Sequence, residues 1–165
     1  MDKEEILKEI EKTKLNLANM EKMLKECKYE RWNPKPSQEY YCVDDGNNVR
    51  RVNFNTMNAY DRDRIKVYNC FQTREQAETE AEKILVRRQL EDIARRLNKG
   101  NKIDWNNDKQ FKYYICIDSR DNEIIWDREV RYISQGIVYC LDINFWKVAI
   151  QEIGEQRLKA YLKCE

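Results

Sequence analysis

At 165 residues, 41% of them hydrophobic and 37% charged, the chain is long enough for one compact domain or two small fused modules. It is too apolar to remain a disordered polymer, and ten tyrosines, four phenylalanines and four tryptophans can fill a core. A formal net charge of +1 argues against a histone-like nucleic-acid binder, although local patches stay open.

Residues 2–29 read as one long helix. Ile6, Ile10, Thr13, Leu17, Met20, Leu24 and Cys27 recur at alternating steps of four and three, a heptad seam with Glu and Lys elsewhere. Ile6, Ile10, Leu17, Met20 and Leu24 are the candidate oligomerisation residues. The seam could pair with a second chain as a coiled coil or lie back on a later helix of the same chain. No signal sequence is read after Met1, where Asp2-Lys3-Glu4-Glu5 follows, and no apolar run approaches the roughly 20 residues that span a bilayer. The chain is expected to stay in the cytosol that makes it, away from membranes.

Asn33-Pro34-Lys35-Pro36-Ser37 ends the helix as a stiff connector. Glu39–Val43 predicts a strand, Asp44-Asp45-Gly46-Asn47-Asn48 a hairpin turn, and Val49–Phe54 the returning strand. Residues 55–66 are polar and predict a loop or a short irregular helix, and Val67–Phe71 a third strand. Thr73 with Gln76 forms a capping box for a helix to about Asn98, stopped by Gly100.

A second copy of this plan follows. Trp105-Asn106 and Tyr113-Tyr114 repeat the spacing of Trp32-Asn33 and Tyr40-Tyr41. Phe111–Ile117 predicts a strand, Ser119-Arg120-Asp121-Asn122 a turn, Glu123–Trp126 the return and Ile137–Leu141 a last strand. Asp142 would cap a helix through about Ile153, and Gly154 separates it from a final helical segment. The fold class is α+β: a long N-terminal helix over 1–31, then two duplicated β-meander-plus-helix modules, 32–100 and 101–165.

Histidine is absent, so the commonest general acid or base near neutral pH is missing. There is no glycine-rich phosphate loop, no G-x-S-x-G and no Cys/His dyad. Cys27, Cys42, Cys70, Cys116, Cys140 and Cys164 include no C-x-x-C pair and are expected to be reduced, mostly as small buried hydrophobes. No catalytic residue, metal site or cofactor is expected. Asp44-Asp45 belongs to a turn, and Asp61-Arg62-Asp63-Arg64 reads as a surface run of ion pairs.

The strongest binding candidate is the central helix. Arg87, Arg88, Arg95 and Arg96 share a side, and Lys99 and Lys102 extend it, an arrangement that could meet phosphates. The same arginines stand four residues from Glu91 or Asp92, which would make them a ladder of ion pairs on a solvated helix. Two basic-aromatic loops, with Arg62 and Arg64 beside Tyr60 and with Arg128 and Arg131 beside Tyr132, are candidate partner contacts.

Trp32-Asn33-Pro34, Tyr40-Tyr41, the run from Asn69 to Glu78, Lys112-Tyr113-Tyr114-Ile115 and the run from Ile153 to Leu162 carry a resemblance. Over about residues 30–163 the chain resembles small proteins of clostridial and related phages and prophages, some of which are type II anti-CRISPR proteins. The resemblance implies a phage-encoded inhibitor in the bacterial host cytoplasm. Its partner would be a type II CRISPR RNA-guided nuclease with its guide RNA, whose target DNA binding or cleavage it blocks. Direct nucleic-acid contact and a homodimer through the N-terminal helix stay open. It supplies no catalytic residues. The alternative is a phage nucleic-acid-binding accessory or regulatory protein.

Overall fold

The computed structural model describes residues 12–14, 16–17 and 31–163. The five described residues of the N-terminal segment are helical, and Leu17 is exposed. Ile6, Ile10, Met20, Leu24 and Cys27 lie outside the described residues, as do most of the expected long helix and its dimer seam.

Residues Pro34–Glu165 form one compact α+β unit. Two antiparallel hairpins, β1 (Glu39–Val43) with β2 (Val49–Asn53) and β3 (Lys112–Asp118) with β4 (Glu123–Glu129), are joined by helices. The helices are α1 (Ala59–Lys66), α2 (Arg74–Asn98), α3 (Phe145–Ile153) and α4 (Glu155–Leu162).

The first turn forms where Asp-Asp-Gly-Asn-Asn calls for it. The Asp44 carboxylate accepts from the Asn48 N–H at 2.8 Å and from the Arg50 guanidinium at 2.6 Å. Asn47 takes the left-handed conformation at φ 65°. Its side-chain amide donates to the Ala81 carbonyl at 2.9 Å, which seats the hairpin tip on α2.

α2 matches the sequence reading from end to end. Thr73 Oγ1 accepts from the Gln76 N–H at 3.2 Å, and Gln76 Oε1 accepts from the Thr73 N–H at 3.2 Å. Lys99, left-handed at φ 49°, ends the helix before Gly100. Ala77 and Ala81 are buried in its first half, where it packs against β1 and β2. Val86, Leu90, Ile93 and Ala94 are buried in its second half, in one cluster with Ile115 of β3, Phe145, Ala149 and Ile153 of α3, and Leu158 and Tyr161 of α4. Both hairpins therefore share α2.

Three expectations are corrected. The third strands over 67–71 and 137–141 are each a single antiparallel bridge, Tyr41 with Phe71 and Tyr113 with Cys140. In the first module residues 59–66 form α1, capped by Asn58, and the N–H groups of Val67, Tyr68 and Asn69 close that helix by donating to Asp63, Ile65 and Arg64. The Asn69 side chain then replaces a strand residue: its amide donates to the Val43 carbonyl at 2.6 Å and its Oδ1 accepts from the Val43 N–H at 2.8 Å. Asp142 does not cap α3; it makes an Asx turn to the Asn144 N–H at 2.8 Å, and α3 starts at Phe145.

The third correction concerns the repeat. The bridges make Tyr41 the counterpart of Tyr113, one residue out of step with the Tyr40-Tyr41 and Tyr113-Tyr114 match. In a strand a slip of one residue exchanges the two faces, so the ladder decides the equivalence. It aligns Tyr40 with Lys112, both fully buried, and Val43 with Ile115, both buried.

Asn69→Ala is expected to destabilise the fold by about 2 kcal/mol, the loss of two partly buried hydrogen bonds to one residue. Urea unfolding should show it, with Asn69→Asp also destabilised because a carboxylate cannot donate to the Val43 carbonyl.

Candidate binding surfaces

Two of the four expected ladder pairs form in α2, Arg87 with Glu91 and Arg96 with Asp92. Arg87 Nε lies 3.1 Å from Glu91, Arg95 3.3 Å from Asp92, and Arg96 3.0 Å from Asp92. Arg96 also reaches Glu152 on α3, and these two carboxylates raise its pKa, Glu152 most. Arg95 pairs with Asp92 rather than with Glu91. Arg88 is exposed and lines a groove of about 350 Å³ with Asp92, Arg96 and Glu152. Lys99 and Lys102 are exposed beyond the helix end, and the Lys102 carbonyl accepts from the Gln110 amide at 3.2 Å.

The first basic-aromatic loop splits. Arg62 is exposed and donates to the Thr56 carbonyl at 2.9 Å. Arg64 turns toward β1 and is half-buried. Its Nη1 lies 3.1 Å from both the Asp61 carboxylate and the Tyr40 hydroxyl. Asp61, read as part of a surface run, is fully buried. Its carboxylate accepts the Tyr40 hydroxyl at 2.7 Å and the Asn55 N–H at 2.9 Å. Burial first, and the bond to Asp61 second, push the Tyr40 phenol far above its ordinary range. A helical reading of 59–66 would have placed Asp61 a turn before Arg64, on the side facing β1.

The second loop is also compensated. Arg131 makes a two-pronged pair with Asp108, which holds the Asp108 carboxyl below its usual range. Arg128 stacks over the Phe111 ring at 4.4 Å. At the ladder position of Tyr40, Lys112 donates from Nζ to the carbonyls of Val130 at 2.9 Å and Asn107 at 3.2 Å, and lies 5.2 Å from the Trp105 ring centre. Tyr139 meets Trp105 and Tyr114 edge-on, so this face of β3 is lidded by its neighbouring loops. Burial, then the nearby Asp127, lifts the Tyr114 phenol to about 12.

Large apolar side chains remain in solvent at matching places in the two modules, between the hairpin and the bridge. Met57 (83%), Tyr60, Val67 and Tyr68 stand out in the first, Tyr132 (74%) and Ile133 in the second. A cleft of about 370 Å³ lies between α2 and α4, lined by Thr79, Glu82, Lys83, Val86, Arg157 and Tyr161 among others, with Arg157 bound to Glu82 at 2.6 Å. Among the described residues no cluster of side chains could hold a metal ion, and no helix is long and apolar enough to cross a membrane.

Asp61→Ala should cost about 3–5 kcal/mol, because it leaves Arg64 and the Tyr40 hydroxyl without their buried acceptor. Chemical denaturation of that variant beside Tyr40→Phe, which removes only the hydroxyl, checks the ordering. Asp44, Asp108 and Asp118 all have lowered pKa values, held by the Asn48 N–H and Arg50, by Arg131, and by Arg120. Their unfolded forms take up protons first, so their contribution is complete above the ordinary carboxylate value of about 4 and is lost as pH falls through the lowered folded values. Stability followed from neutral pH into acid should drop there, and less steeply in Asp108→Asn.

Comparison with family models, with curated proteins and with solved structures finds no match.

Proposed function

We propose that the chain is a stoichiometric inhibitor that binds a type II RNA-guided nuclease with its guide and blocks target DNA binding or cleavage. The partner class comes from the resemblance to phage proteins that include anti-CRISPR proteins. The observation that carries a protein-facing reading is the distribution of charge and apolar surface. Arg64, Arg87, Arg95, Arg96 and Arg131 are all held by carboxylates of the same chain. Met57, Tyr60, Val67, Tyr68, Tyr132 and Ile133 are left in water. Phosphate binding draws on uncompensated cations, whereas exposed aromatic and apolar side chains favour a protein partner.

Titrating the chain into a cleavage reaction of purified nuclease, guide and target DNA tests this. Cutting should stop near an equimolar ratio, and unaffected cutting across several type II nucleases at excess inhibitor removes the proposal. A second reading, direct nucleic-acid binding, is favoured by Arg88, Lys99 and Lys102, exposed cations with no carboxylate partner among the described residues. Arg88→Glu with Lys99→Glu and Lys102→Glu separates the two. Inhibition should survive this triple change if the contact is with protein. A gel shift on bare RNA or DNA that weakens steeply with salt, and is lost in the variant, would favour the second reading.

A further inference from the structure

The free edge of β4 is built differently from that of β2. Tyr113 exchanges both backbone hydrogen bonds with Cys140, at 2.7 and 2.9 Å, so its N–H and C=O point away from β4. Backbone groups alternate in direction along a strand, so Lys112, Tyr114, Cys116 and Asp118 are the residues that bond β4. The register sets them opposite Glu129, Asp127, Ile125 and Glu123. Ile124, Trp126 and Arg128 therefore direct their N–H and C=O groups to the open side. The Arg128 N–H is taken by the Asp127 carboxylate at 2.7 Å. Among the described residues, nothing bonds the backbone of Ile124 or Trp126 across that edge.

The same derivation for the first hairpin makes Val49, Arg51 and Asn53 the outward residues of β2. That edge is guarded by charge: Arg51 is bound across the strand to Glu39, and Arg50 to Asp44 at 2.6 Å. On β4 the acids Glu123, Asp127 and Glu129 share one face, and the strand's one arginine, Arg128, lies on the other, over the Phe111 ring. Glu123 and Glu129 are in no ion pair among the described residues, and Glu123 stands directly opposite Asp118, whose carboxylate Arg120 already pairs at 3.0 Å. These acids share a face with Ile125, while Ile124 packs on the core and Trp126 meets Tyr113 edge-on at 5.7 Å on the other face. Ile125 and Trp126 are both partly exposed, at 40% and 38%.

We propose that β4 accepts an added strand: an extended segment of a partner protein with basic residues alternating with apolar ones. Its backbone would bond Ile124 and Trp126. Its basic side chains would stand beside Glu123, Asp127 and Glu129, the acidic face of the strand. Its apolar side chains would cover Ile124 and the Trp126 ring. Strand addition draws affinity from backbone bonds and specificity from alternate side chains, and both are present at this edge.

The proposal deepens the protein-binding reading without requiring the nuclease as partner. The test uses the full chain and a fluorescent seven-residue peptide that alternates lysine and valine, followed by anisotropy. Binding should be weakened about tenfold or more by methylating alternate backbone nitrogens of the peptide, and similarly by replacing its lysines with glutamate. Glu123→Lys with Glu129→Lys should lose binding of the lysine peptide and gain binding of the glutamate peptide, with the circular dichroism spectrum unchanged. Equal binding of the methylated peptide would overturn strand addition in favour of simple charge attraction. Absence of binding would overturn it outright, as would a concentration-dependent dimer, abolished by the double change, that excludes the peptide. Peptide binding without nuclease inhibition would remove the nuclease and leave the edge; inhibition unchanged by the double variant, without peptide binding, would do the reverse.

Discussion

A two-stranded hairpin is marginal in water, and this chain contains two of them with no strand shared between them. What lets both persist is the 25-residue helix α2, which supplies a packing face to each in turn. Its apolar stripe changes side along its length. Ala77 and Ala81 let the backbone come close to the first hairpin, and the larger Val86, Leu90 and Ile93 fill the space against β3, α3 and α4. The helix is fastened at both ends, by the Thr73 capping box and by left-handed Lys99, so its register against the two hairpins is set by local chemistry. Ion pairs that cross from it to other helices, Arg96 with Glu152 and Arg157 with Glu82, sit on the rim of the same contacts. Being half exposed, they orient more than they stabilise.

The outer face of each hairpin is closed by a different device at the same ladder position. In the first module Tyr40 sends a hydroxyl under α1 to Asp61, and Arg64 balances the carboxylate. In the second Lys112 sends an ammonium between two loop carbonyls and beneath Trp105. Each is a long side chain with an apolar body and a polar tip, completely buried, and each ties down the segment that covers it. The two hairpins share the place of this buried side chain while its chemistry differs.

Local signals in the sequence were sufficient where the structure is local. The Asp44–Asn48 turn, the capping box and the stop at Gly100 rest on contacts between residues a few positions apart, and they stand where their spacing placed them. The misreadings have one cause. Val67–Phe71 has strand composition, yet only Phe71 meets β1 as backbone, because the Asn69 side chain takes the next rung. Asp61 carries the same letters as any surface ion-pair run, and its burial follows from a tyrosine 21 positions away. The aromatic pairs alone set the repeat one residue out of step, since only inter-strand bonds say which face a residue occupies.

The same limit applies to the candidate cations. Charge can be counted in a sequence, but compensation depends on neighbours in space. Once those neighbours are in place, Arg64 is half-buried against Asp61 and Arg131 is paired with Asp108. What the fold leaves exposed are large apolar and aromatic side chains between hairpin and bridge, and the backbone edge of β4. β2 shows that this fold can close an edge when its arginines find carboxylates within the hairpin. On β4 the ladder sets Arg128 at the place of Arg51 and Asp127 at that of Arg50, and Arg128 is turned onto Phe111 rather than onto a carboxylate. The two hairpin edges therefore differ in chemistry: β2 carries ion pairs closed within its own hairpin, and β4 an acidic face beside open backbone groups.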